Sequence, residues 1–149
     1  MKATPELIKE YLGKGEISDS TLLELVSLCE IKTYEANDVI YREHEDSTQL
    51  YIVHSGQVDV QYMMPNGKRE TVDTCFKGDF LVWSALVQPY RTNSIGICRA
   101  HAEVLVFDGI KLRALCEKDM HFGYQMMSLI AQVIRRHLQA ARKEVVDLR

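Results

Sequence analysis

A chain of 149 residues with 46% hydrophobic and 26% charged content has the composition of one ordinary globular domain. That balance excludes collagen-like, coil-only and disordered chains, and the apolar runs fall far short of the ~20 residues that span a bilayer. A net charge of −3 argues against broad nucleic-acid binding as the main activity.

The segment Met1 to Glu10 is polar, with no apolar stretch before a small-residue cleavage site, so no secretory signal and a cytoplasmic protein are expected. The first predicted helix has Thr4 as N-cap, Pro5 at its first position and Glu6 in its first turn. Leu7, Ile8, Tyr11 and Leu12 follow at helical spacing, and Gly13, Lys14 and Gly15 end it. A second helix starts at Ser18 or Asp19 and places Leu22, Leu25, Val26 and Cys29 on one face.

The middle of the chain is rich in Val, Ile and Tyr. Strands are predicted over Tyr34 to Tyr41, Leu50 to Ser55 and Gln57 to Met64, then near Asn93 to Arg99 and Ala102 to Phe107. Val58, Val60 and Tyr62 alternate with Asp59 and Gln61, the pattern of a half-buried strand. Pro65-Asn66-Gly67-Lys68 reads as a type I′ hairpin turn. Gly56, Gly67 and Gly78 recur every 11 residues, and turn signals at that spacing mark an all-β sandwich or barrel.

The end is helical again. Asp108 is placed to cap a short helix holding Ile110, Leu112, Leu115 and Cys116, and Asp119 a long one running to Val146. In the long helix Phe122, Met126, Leu129, Ile130, Val133, Ile134, Leu138, Ala141 and Val145 recur at steps of three and four. A domain of this size cannot cover so long a stripe, so a homodimer through the Asp119 to Val146 helix is expected. The order is two helices, about eight short strands, a short helix and a long one. One domain over 1–149 divides into helices at 1–30, a β-roll at 31–107 and C-terminal helices at 108–149.

The layout resembles the cyclic nucleotide-binding domain of the catabolite-activator and kinase-regulatory-subunit family. The carrying strings are Asn37-Asp38-Val39-Ile40-Tyr41, Leu50-Tyr51-Ile52-Val53-His54-Ser55-Gly56-Gln57-Val58, Gly67-Lys68, Gly78-Asp79-Phe80 and Ser84-Ala85-Leu86. The resemblance implies a double-stranded β-helix, or jelly-roll, with flanking helices. Gly56 and Gly78 fall where the roll must reverse and a side chain would clash.

In the family, a short helix after the Gly-Asp turn cradles a cyclic phosphate with its N–H groups. A Glu there holds the ribose hydroxyl, and an Arg further on pairs with the phosphate. The family pattern is G-E/D-x-x-G-E-x-A-L, whereas this chain reads Gly78-Asp79-Phe80-Leu81-Val82-Trp83-Ser84-Ala85-Leu86. Val82 takes the Gly position and Trp83 the Glu position, and an indole N–H cannot accept a hydrogen bond. The Arg aligns with Thr92-Asn93, one residue after Arg91. The pair that meets the base in the activator falls on Ala140-Ala141, and His44 stands at a turn position that is usually Gly.

The resemblance therefore implies a ligand site at Leu81, Val82, Trp83, Ser84, Ala85, Arg91, Thr92, Asn93 and Ser94. It would hold a cyclic nucleotide or another small anionic or aromatic molecule, with cAMP itself disfavoured, or else Trp83 would fill the pocket. No tightly held cofactor is expected. A zinc or iron–sulfur centre would need clustered thiolates, and Cys29, Cys75, Cys98 and Cys116 are scattered, which fits reduced thiols.

A cupin-type enzyme would need H-x-H, which His44, His54, His101, His121 and His137 do not form. A haem or redox sensor would draw on His101 and Cys75. Five Lys/Arg against two Asp/Glu in the last fifteen residues suit the end of a helix dipole, and direct DNA reading is not expected. The expectation is a non-enzymatic sensory or regulatory module that signals to a separate protein partner.

Overall fold

Thr4 opens the first helix by accepting the Leu7 N–H on its hydroxyl at 3.2 Å, and α1 runs Pro5–Leu12 with Ile8, Tyr11 and Leu12 buried. The computed structural model describes every residue except Lys14 and Arg149, so Lys14 of the expected stop signal lies outside the described residues. Ser18, rather than Asp19, caps α2 (Asp19–Ser27) by accepting from the Thr21 N–H. Cys29 does not extend the helical face. It begins the first strand, because the chain leaves α2 at Leu28 and pairs with the far end of the roll.

Eight strands follow: β1 Cys29–Tyr34, β2 Val39–Tyr41, β3 Gln49–Ser55, β4 Val58–Met63, β5 Arg69–Cys75, β6 Phe80–Leu81, β7 Ile95–Cys98 and β8 Ala102–Asp108. They form two four-stranded antiparallel sheets in the orders β1-β8-β3-β6 and β2-β7-β4-β5. This is the expected jelly-roll with flanking helices.

The first sheet is buried on both faces, which explains why β3 and β8 read as unbroken apolar runs. Leu50, Ile52, Leu105 and Phe107 point into the core shared with the helices. Tyr51, Val53, Val104 and Val106 point into the interior of the roll, against Val58, Cys75, Leu81 and Cys98.

Two local readings need correction. The stretch Tyr34 to Tyr41 is not one strand: Asn37 adopts φ +74°, its N–H donates to the Cys98 carbonyl at 2.8 Å, and the chain changes sheet there. The hairpin at Pro65 to Lys68 is not type I′, since Gly67 alone has positive φ (+81°). The Gly67 N–H donates to the Met64 carbonyl and the Met64 N–H to the Lys68 carbonyl. That is a type I turn closed by a left-handed glycine, and Asn66 Oδ1 accepts the Lys68 N–H at 2.9 Å.

Gly56 and Gly78 also differ from each other. A Cβ at Gly56 would meet the His101 carbonyl at 2.3 Å, whereas at Gly78 nothing lies within 4 Å and only its φ of +90° calls for glycine.

Asp108 caps α3 (Gly109–Lys118) by accepting the Ile110 and Lys111 N–H groups. Asp119 caps α4 (Met120–Asp147) by accepting from Phe122 at 3.1 Å, and its other oxygen accepts the Thr21 hydroxyl. The two helices meet closely at Gly123, where a Cβ would lie 2.5 Å from the Cys116 carbonyl. Phe122, Met126, Ile130 and Val133 bury the first half of α4 in the helical core. Its second half leaves that core and crosses the open side of the second sheet, where Asp73 of β5 pairs with His137.

Candidate functional site

The second half of α4 and the inner face of the roll enclose a cavity of about 480 Å³, within the range of small-molecule sites. Its floor is Phe80 and Leu81 of β6, then Val82, Trp83 and Ser84 at the start of a four-residue 3-10 helix, Trp83–Leu86. Thr92, Asn93 and Ser94 border it from the approach to β7, and Tyr41, Val60, Tyr62, Val72, Asp73 and Cys75 from the second sheet. The helical wall is His137, Ala140, Ala141, Glu144, Val145 and Leu148.

Seven of the nine expected site residues therefore share one cavity: Leu81, Val82, Trp83, Ser84, Thr92, Asn93 and Ser94. Ala85 and Arg91 do not border it. Ala85 is 0% exposed in the helical core, because the 3-10 turn points it away from the roll. Arg91 reaches the opposite way: its guanidinium pairs with Asp46 at 2.9 Å and donates to the His44 carbonyl. His44 itself adopts φ +60°, which accounts for the glycine usual at that turn.

The backbone at Val82 is the site's main anomaly. It sits at φ 59°, ψ 43°, the left-handed region, directly before the 3-10 helix. A β-branched residue there is strained and persists only where packing holds it. Val82 is 9% exposed and packs into the roll interior, so its side chain anchors the conformation that a glycine would adopt freely.

The hydroxyls of Ser84, Thr92, Ser94 and Tyr41 in the cavity wall have protein partners. The Thr92 hydroxyl donates to the Arg42 carbonyl at 2.6 Å and accepts the Glu45 N–H at 3.0 Å. Ser84 shares a hydrogen bond with the buried Ser47 at 2.7 Å, and Ser94 shares one with the Tyr41 hydroxyl at 3.0 Å. Tyr41 lies over Gly96, where a Cβ would come within 2.2 Å of its ring, and stacks on Tyr51 with centroids 6.1 Å apart. Burial pushes the Tyr41 phenol above its ordinary range.

The wall carries the carboxylates of Asp73 and Glu144 and the imidazole of His137, with His137 Nδ1 3.1 Å from Asp73 Oδ2. No Lys or Arg borders the cavity among the described residues. The Cys75 thiol is pushed up to about 12, first by burial and then by the Asp73 carboxylate, so it is a protonated, unreactive thiol at neutral pH. Among the described residues, no three His, Cys, Asp or Glu side chains come together to hold a metal ion. A second hollow of about 530 Å³, between the N-terminal residues and the start of α3, contains none of the expected site residues.

Ala140 and Ala141, which the resemblance places beside the ligand, border the cavity, as do Tyr41, Tyr62, Asp73, His137 and Glu144, which the sequence reading did not single out. The spacing of His137, Ala140, Ala141, Glu144 and Leu148 marks one helical face, yet it does not say what that face meets.

The fold is a jelly-roll whose β6 turn and short helix border a cavity beneath a C-terminal helix. The chain belongs to the cyclic nucleotide-binding domain family, whose model matches residues 31–119. A curated relative, neuropathy target esterase sws of Drosophila grimshawi, is 30% identical over 122 residues, 76% of this chain. The chain spans 8% of that relative's length.

Solved structures show the same fold. A cyclic nucleotide-binding domain from Methylobacillus flagellatus aligns with TM-score 0.84 at 13% identity, over 100% of this chain and 88% of that one. A Geobacter metallireducens protein described as cyclic nucleotide-binding aligns with TM-score 0.80 at 23% identity, over 91% and 98%. No helix among the described residues is long and apolar enough to cross a membrane.

Proposed function

We propose that this chain is a non-enzymatic sensory or regulatory module. It takes a small molecule into the cavity beneath α4 and passes that occupancy to a homodimer interface on the same helix. One observation carries the reading. Met120, Tyr124, Met127, Ala131, Ile134, Leu138, Ala141 and Val145 recur at alternating steps of four and three along α4, the seam of a coiled coil. Much of that seam is exposed, with Tyr124 at 76% and Leu138 at 49%, and Ala141 and Val145 belong to both the seam and the cavity wall. A ligand that moves this half of α4 moves the seam, provided that it binds the two dimerisation states with different affinity.

We take the partner of the seam to be a second copy of this chain. The positions that flank the seam include Arg135 and Arg142 on one side and His137 and Glu144 on the other, and charges there set partner choice and orientation. The unreactive Cys75 supports a binding role over catalysis, and four free thiols support a reducing, cytoplasmic setting. A separate protein partner would read the output.

Trp83 is the chain's single tryptophan, so its emission reports directly on the cavity. A panel of cyclic nucleotides and small aromatic molecules is titrated against Trp83 emission and against the dimer dissociation constant in sedimentation. The expected result is a ligand that changes both. Ligands that move Trp83 emission and leave self-association untouched would break the proposed coupling.

A further inference from the structure

We infer that the cavity selects uncharged or cationic aromatic molecules and turns away phosphate and other small anions. The inference rests on the reading that the cavity binds a ligand, and it concerns that ligand's chemistry.

A small anion is held most firmly where a cation pairs with it. The wall offers N–H and O–H donors in the Asn93 amide, the Trp83 indole and the Tyr62 hydroxyl, but among the described residues no Lys or Arg. Among the described residues the wall carries two carboxylates, Asp73 and Glu144, with His137 as the single basic side chain, and His137 is already paired with Asp73. Arg91, the basic side chain nearest in sequence, faces away toward Asp46. The hydroxyls of Ser84, Thr92 and Ser94 are engaged with Ser47, the Arg42 carbonyl and Tyr41.

The remaining surface favours a different guest. Trp83 is half-buried, with its body packed against the helical core, and Tyr62 and Val72 close the opposite wall. Aromatic faces accept flat rings by stacking and cations by attraction to the ring quadrupole. Glu144 projects from an exposed stretch of α4 and adds a negative charge at the helical wall. A flat, apolar molecule carrying no charge or one positive charge meets all of these surfaces without stranding a buried charge.

The test holds the indole ring constant across three probes and varies the charge of its side chain. Tryptamine, indole-3-acetamide and indole-3-acetate are titrated into the full chain, with cAMP as a fourth probe, and binding is followed by protein-observed NMR. The expected order is tryptamine first, indole-3-acetamide next, and indole-3-acetate and cAMP weaker than tryptamine by about tenfold or more. Glu144→Gln should narrow the gap between tryptamine and indole-3-acetate and leave indole-3-acetamide unchanged.

Tighter binding of indole-3-acetate or cAMP than of tryptamine would overturn the charge preference while sustaining the cavity as a ligand site. An unchanged charge preference in Glu144→Gln would also overturn the role assigned to the helical wall. No shift from any of the four probes would overturn the binding reading and this inference with it.

Discussion

Replacing Val82 by alanine and, separately, by glycine isolates the backbone strain at the edge of the cavity. The two variants remove similar volume and differ by a single Cβ, so most of the burial loss cancels between them. At an ordinary buried strand position alanine is the more stable of the pair, by roughly 0.5–1 kcal/mol, because glycine loses more chain entropy on folding. At φ 59°, ψ 43° the order inverts, since a Cβ in the left-handed region costs about 1–2 kcal/mol. Val82→Gly should therefore exceed Val82→Ala by about 1 kcal/mol.

Val53, 0% exposed in β3, is the control: there Val53→Ala should be the more stable variant. Against the wild type, Val82→Gly gives up about 1.5–2 kcal/mol of side-chain burial and recovers most of it as released strain, so it stays within about 1 kcal/mol. Urea unfolding resolves these differences, as a midpoint shift of about 0.5 M for ~1 kcal/mol at a typical slope. Equal stability of the two Val82 variants, or a more stable alanine, would refute the argument that side-chain packing holds a strained backbone here.

Three further outcomes follow from the same structure. Leu138→Asp should weaken self-association by about 30- to 150-fold, the loss of roughly 2–3 kcal/mol of apolar burial summed over two copies. Its thermal stability as a monomer should change little, because Leu138 is 49% exposed in the single chain; sedimentation and calorimetry check the two halves.

Asp119 is held below the ordinary carboxylate range, first by the Thr21 hydroxyl and then by the Phe122 N–H. That interaction stabilises the fold above the unfolded carboxylate value and is lost as pH falls through the lowered folded value. Thr21→Val should accordingly move the Asp119 titration upward, as read by carbon-detected NMR, and flatten the loss of stability on the acid side. Cys75, with its thiol pushed up to about 12, should resist iodoacetamide at pH 8 in the folded chain and react readily once unfolded; fast labelling of the native protein would contradict its burial.

Much of the fold was legible because its signals are local. Thr4, Ser18, Asp108 and Asp119 each accept backbone N–H groups at a helix start, and capping depends on residues within one turn. The resemblance also pointed to the odd backbone at His44 and Val82, the two places where a family glycine is missing and φ is nonetheless positive. The split of Tyr34 to Tyr41 between two sheets was hidden, because a break at Asn37 depends on a bond to Cys98, 61 residues away. The hairpin at Gly67 was misread as type I′ because Asn-Gly suits two turn geometries and the strand register chooses between them.

The sequence by itself determined the kind of protein: the order of elements, the strings of the β-roll, and Val82 and Trp83 standing where the family pattern has Gly and Glu. Only the tertiary structure decided the chemistry of the cavity. Asp73 and His137 lie 64 residues apart yet pair across its mouth. Arg91, adjacent in sequence to the expected site, turns instead toward Asp46. The physical reason is that covalent neighbours share a backbone and not a direction. A cavity wall is assembled by side-chain orientation across strands and helices, so its charge is a property of the packed fold and not of any one segment.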